Sequence, residues 1–131
     1  MGNDKPVGIG FIGAGEVSQL HAKAIHAIPE AQLVGLWSIE PEQAAARSAE
    51  YACRRFASAE ELVNDPTIIL ADEPTANLDS KTAENLLDLM ARLNHEEHMT
   101  FIFSTHDQRV IDRAKRVVTL EDGKIVSDVT V

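Results

Sequence analysis

Val7-Gly8-Ile9-Gly10-Phe11-Ile12-Gly13-Ala14-Gly15-Glu16-Val17-Ser18 is the stretch that decides the fold. Val7–Ile12 carries no polar side chain and reads as a strand buried on both faces. A glycine turn follows, and the chain then reads as a helix over roughly Glu16–Ile28. Gly13 permits the tight turn, and Gly15 lets the backbone come close to a ligand, whose negative charge the helix N-terminus favours. In this strand–turn–helix setting Gly13, Gly15, Glu16 and Val17 are candidates for a loop that cradles a pyrophosphate, with the small Ser18 allowing close packing of helix on strand. The bland alternative is a turn that merely needs glycines; the ligand loop is the better reading.

Outward from that unit the same alternation continues. Gln32–Ser38 reads as a second strand, and Glu40–Tyr51 as a helix with Pro41 tolerated in its first turn. A short strand around Ala52–Phe56 precedes Ser58-Ala59-Glu60-Glu61, a capping-box start to a helix ending near Asn64. Thr67–Asp72 is an almost wholly apolar strand, and Leu78–Leu93 has apolar residues at helical spacing. Thr100–Ser104 and Arg116–Glu121 read as strands flanking a short helix at Gln108–Arg113, and Asp122-Gly123 is a two-residue hairpin signal leading into Lys124–Val129. The expected fold class is α/β: a three-layer αβα sandwich with a mostly parallel, doubly wound sheet and a C-terminal β-hairpin, in one domain over residues 1–131. The expected strand order is 3-2-1-4-5-6, with the last hairpin at an edge.

Bulk properties exclude several functions. The chain has 131 residues, 44% hydrophobic and 25% charged, with a net charge of −9. The charge is spread through the chain, so nucleic acid and anionic membranes are not expected partners. Cys53 is the only cysteine, which rules out an internal disulfide and leaves a buried small hydrophobe as its best reading. No apolar run reaches membrane-spanning length, and a soluble, cytoplasmic protein is expected. His21 and His26 stand five apart on one helix, on different faces, and read as surface or packing histidines.

Beyond the glycine loop, Ile9–Ala27 with Gly13-Ala14-Gly15 and His21, and Tyr51–Pro66 with Ser58-Ala59-Glu60-Glu61-Leu62, resemble the Gfo/Idh/MocA oxidoreductase family. The resemblance covers about the first 65 residues and implies a Rossmann fold binding NAD or NADP. There are departures. The acid expected at the end of the second strand, which would bond the adenine ribose hydroxyls, is replaced by Trp37-Ser38-Ile39. Ser38 is the candidate there: it accommodates a 2′-phosphate, but Ile39 brings no cation to it. The family's Thr-Pro turn, its Glu-Lys-Pro segment with the catalytic lysine, and its substrate-binding sheet domain do not occur in this chain.

The second half changes character. Ile68-Ile69-Leu70-Ala71-Asp72-Glu73-Pro74-Thr75 delivers adjacent carboxylates at the end of an apolar strand; Asn77-Leu78-Asp79-Ser80 and Phe103-Ser104-Thr105-His106-Asp107 follow. From about Asn64 to Val131 these segments resemble the Walker B strand, D-loop and H-loop of an ABC-transporter ATPase, of the lipoprotein-release and macrolide-export type. By that resemblance Asp72 is the magnesium-linked aspartate, Glu73 the general base, Asp79 the D-loop residue and His106 the γ-phosphate contact. The chain contains no Gly-x-x-x-x-Gly-Lys-Ser/Thr loop and no Leu-Ser-Gly-Gly-Gln signature. Phosphoryl transfer rests on positioning and neutralising the phosphates, so Glu73 and His106 are expected to be vestigial and ATP hydrolysis negligible.

These readings together describe an engineered hybrid joined near Asn64-Asp65-Pro66, a scaffold without native catalytic function. The alternative is residual weak binding of NAD(P) or an adenine nucleotide at Gly13–Gly15, with no cofactor required. With the fourth strand beside the first, Asp72 and Glu73 would face the glycine loop, so nucleotide binding should be weak and improve with Mg²⁺. No partner protein is expected, although a sheet edge left open in the second half would favour dimers.

Overall fold

The computed structural model describes residues 6–13, 18–76 and 78–130. Strands β1 (Val7–Ile12), β2 (Ala31–Trp37), β3 (Arg54–Arg55), β4 (Ile68–Asp72) and β5 (Thr100–Ser104) form one parallel sheet in the order β3-β2-β1-β4-β5. On one face lie α1 (Ser18–His26) and α2 (Pro41–Tyr51), whose Ala22, Ile25, Ala44 and Tyr51 pack against Phe11, Leu33 and Leu36. On the other lie α3 (Ala59–Leu62) and α4 (Ser80–Glu97), whose Leu62, Leu86, Met90 and Leu93 bury Ile12, Ile69 and Ala71. Three layers result because a β-strand alternates its side chains, sending Phe11 to one face and Ile12 to the other.

The second of these clusters crosses the junction. Phe56, Ala59 and Leu62 come from the first half, Ile69, Leu86 and Met90 from the second, and all lie within 5% of full burial. Local capping sets the helix starts: the Ser58 hydroxyl accepts from Glu61 N, and the Asp79 carboxylate accepts from Thr82 N. Asp79 therefore acts as the N-cap of α4, which begins two residues later than the apolar spacing suggests.

Two glycines show how closely the sheet is built. The β1–β2 register shifts between Ile9 and Gly10, which puts Leu33 and Leu36 on the same face and leaves Gly35 beside β3. A Cβ at Gly35 would run into the Phe56 ring and lie 2.5 Å from the Arg54 carbonyl oxygen. Because a backbone atom cannot swing aside, Gly35→Ala is expected to cost about 1–3 kcal/mol, read as a lower urea midpoint with unchanged slope.

The end of the chain departs from expectation. α5 (Gln108–Arg113) flanks α4, with Arg113 bonded to Asp88 and Lys115 to Asn94. β6 (Arg116–Glu121) and β7 (Lys124–Thr130) then pair only with each other, as a separate antiparallel sheet. The order 3-2-1-4-5-6 thus holds through β5 and fails at β6. Nothing in the chain supplies a strand between β5 and β6, so the hairpin closes on itself. Its turn is as expected: Asp122 and Gly123 both have positive φ, 51° and 78°, as a two-residue hairpin demands.

Candidate functional site

A cleft of about 200 Å³ opens at the C-terminal ends of the central strands, where the chain winds one way from β1 to β2 and the other way to β4. This switch point is where open parallel sheets bind ligands. Gly13, Ser18 and His21 line it from the first βα unit; Trp37, Ser38, Glu40 and Gln43 from the second; Asp72 and Glu73 from β4.

Gly13 donates its N–H to the Trp37 carbonyl (2.8 Å), which ties the loop to the end of β2. Its φ of 93° lies in the left-handed region, and a Cβ there would meet nothing within 4 Å. Glycine is therefore required here by the backbone conformation, while the space beside it stays open to a ligand. The other loop candidates, Gly15, Glu16 and Val17, lie outside the described residues. Ser18 is buried, its hydroxyl 2.6 Å from the Tyr51 hydroxyl, where it joins α1 to α2.

The Ser38 hydroxyl accepts from Glu40 N at 3.1 Å, a turn that brings Glu40 to the cleft as the N-cap of α2. Glu40 was not among the residues singled out from sequence. It sits two positions beyond the end of the strand where an acid was sought, and the signal for it was Pro41, which fixes the helix start. A carboxylate here suits ribose hydroxyls and disfavours a 2′-phosphate.

On the opposite wall Asp72 and Glu73 enter the same cleft. Glu73 adopts a left-handed φ of 44°, unusual for a side-chain-bearing residue, and its N–H bonds the Ser104 carbonyl at 2.7 Å. Two histidines attend the pair. His21 Nε2 lies 3.9 Å from Asp72 Oδ2, a contact between the two halves of the chain, and the fully exposed His106 has Nε2 4.0 Å from Glu73 Oε1. His21 also meets the Phe11 ring edge-on, so it is both a packing residue and a cleft residue. His26 is exposed on the helix surface.

Behind Glu73, Asp107 anchors the loops. Its carboxylate accepts from the Thr75 hydroxyl at 2.6 Å, caps α5 through Arg109 N, and pairs with the Arg109 guanidinium. Arg109, followed by Thr75, holds this carboxyl far below the usual carboxylate range. A depressed folded value stabilises the fold above the unfolded value of about 3.9, and that contribution fades as pH falls through the folded value. Asp107→Asn is therefore expected to lower the melting temperature at neutral pH, and to melt less differently from the parent as pH drops below about 4.

Among the described residues no group of three or more His, Cys, Asp or Glu side chains could hold a metal ion. A divalent cation at Asp72 would therefore need ligand oxygens to complete its shell. No helix among them is long and apolar enough to cross a membrane. Burial raises the half-buried Cys53 thiol above its ordinary value, which keeps it protonated and poorly reactive.

Residues 7–90 match the sequence model of the Gfo/Idh/MocA group, described as an oxidoreductase family with an NAD-binding Rossmann fold, and the chain belongs to that family. The structure agrees: the UDP-N-acetylglucosamine 3-dehydrogenase GnnA from Acidithiobacillus ferrooxidans superposes with a TM-score of 0.59 at 24% identity, over 82% of this chain and 33% of that one. The second affinity is as definite. The lipoprotein-releasing system ATP-binding protein LolD 1 of Caulobacter vibrioides is 49% identical over 76 residues, 58% of this chain and 32% of that protein. The macrolide export ATP-binding/permease protein MacB of Hyphomonas neptunium is 53% identical over 57% of this chain and 12% of its own length. The chain spans about a third or less of these relatives. It is a chimera of a Rossmann oxidoreductase segment and an ABC-ATPase segment. The two matches together exceed the length of the chain and so overlap: the oxidoreductase match runs past the junction through β4 into α4, a strand–helix unit common to both folds.

Proposed function

We propose that this chimera is a recombined α/β scaffold without catalytic function, whose remaining capacity is weak, Mg²⁺-assisted binding of an adenine nucleotide in the switch-point cleft. The observation that carries this reading is the meeting, in one cleft, of the Gly13 turn from one parent and the Asp72–Glu73 pair from the other.

The cleft suits one half of a dinucleotide. Trp37, Ser38, Glu40 and Gln43 offer an apolar wall and polar partners for an adenosine. Its volume of about 200 Å³ falls below the roughly 300–1,000 Å³ of enclosed ligand sites, so the second nucleotide would lie outside. Asp72, Glu73 and Glu40 all line it and no lysine or arginine does, so a pyrophosphate meets net negative charge there unless a cation bridges. Glu73 has no phosphate-loop lysine in this chain to work with, and neither hydride nor phosphoryl transfer has a complete set of groups.

The test is a titration with NADH and NADPH in Mg²⁺, followed by quenching of Trp37, the only tryptophan, with calorimetry as control. Saturable quenching in the range of about 0.1–1 mM is expected, stronger for NADH because Glu40 repels a 2′-phosphate. No binding at millimolar ligand by a cooperatively melting protein would refute the nucleotide reading and leave the scaffold alone.

A further inference from the structure

The C-terminal hairpin is covered by nothing, and the sheet beside it has a bare strip. A two-stranded hairpin is marginal in water on its own. In β6–β7 only Val117 and Ser127 are even half-buried. The pairing Val118↔Asp128 and Leu120↔Ile125 puts Val118, Leu120 and Ile125 on one face, 44%, 63% and 67% exposed. The Arg116–Asp128 ion pair closes one end of that face and leaves it without net charge.

The sheet has the complementary defect. Phe101 and Phe103 of β5 turn towards α4, while Ile102 points to the opposite face, is 50% exposed and belongs to neither apolar cluster. Its neighbour Leu70 is only partly buried, because α5 lies by α4 and leaves this end of the α1–α2 face without a helix. β5 is also the open edge of the five-stranded sheet.

The areas identify the occupant. The chain exposes 8475 Å², whereas a folded chain of its mass ordinarily exposes about 6,800 Å². The excess, about 1,700 Å², is ample for the roughly 800 Å² that each partner gives to a stable interface. We propose that a second copy of this chain supplies the cover. The Val118–Leu120–Ile125 face of one copy lies over Ile102 and Leu70 of the other, reciprocally about a two-fold axis. The patch has no basic character for nucleic acid or acidic lipid, and its apolar, internally neutralised surface matches another apolar surface of the same kind.

Sedimentation velocity from ~1 to ~100 µM tests this. The full chain should move from the 14.3 kDa monomer to twice that mass as concentration rises. Ile102→Lys and Leu120→Lys each change an exposed side chain, so both should keep the parental circular dichroism and stay monomeric throughout. In a Cys53→Ser background, chains carrying Ile102→Cys mixed with chains carrying Leu120→Cys should give a disulfide-linked heterodimer under mild oxidation. A monomer at every concentration overturns the proposal, and so does a dimer that both lysine variants leave intact. A disulfide forming only within single chains that carry both cysteines would show the hairpin folding back on its own sheet, and would overturn it as well.

Discussion

Leu62→Ala is expected to lower the unfolding free energy by about 2–5 kcal/mol, a large share of the roughly 5–15 kcal/mol that holds a domain of this size. Leu62 is fully buried, and its Cδ1 lies 2.9 Å from where a Cβ on Gly10 would stand. It belongs to α3, contributed by the oxidoreductase segment, and packs in the cluster that contains Ile69, Leu86, Met90 and Leu93 of the ATPase segment. Truncating it opens a cavity at the seam, where neighbours held by two strands and a helix cannot collapse far. The variant should still unfold in one transition, with circular dichroism and Trp37 fluorescence shifting together. If the Trp37 signal moved alone, the two segments would not share a core, and the cluster spanning them would be a packing accident without cooperative weight.

The prediction turns on how much of the molecule its sequence discloses. Strands and helices were legible wherever a local signal existed: the apolar runs of β1 and β4, the capping serine at Ser58, the Asp122-Gly123 turn. The bounds of β5, α5 and β6 read from sequence coincide with those in the structure. What failed was a non-local property. Whether β6 joins the sheet depends on a neighbouring strand, and no residue of β6 itself records its absence. The cleft shows the same division. That Asp72 and Glu73 should face the glycine turn followed from placing β4 beside β1, and Gly13, Asp72 and Glu73 do line one cleft. Glu40 and the approach of His21 to Asp72 were hidden, because each depends on where a helix end lands after packing.

Removing the two carboxylates should have the larger effect on binding. In the Asp72→Asn, Glu73→Gln double variant, nucleotide affinity without Mg²⁺ is expected to rise tenfold or more, and the gain from added Mg²⁺ to disappear. Two unit charges about 4 Å apart interact by about 1 kcal/mol in water and about 4 kcal/mol at a dielectric of 20, and tenfold requires only about 1.4 kcal/mol. The cleft is partly walled by Phe11, Leu70 and Leu86, so the effective value lies between these limits. Stability should change little, since His21 and His106 sit at 3.9 and 4.0 Å and His106 is fully exposed. The measurement is a pair of calorimetric titrations, one with Mg²⁺ and one with chelator, on parent and variant. Equal affinities for parent and variant in chelator would mean that the phosphates do not pass these carboxylates. Any nucleotide would then lie wholly on the Trp37–Glu40 side, and the ATPase-derived wall would be a bystander to whatever the glycine turn still holds.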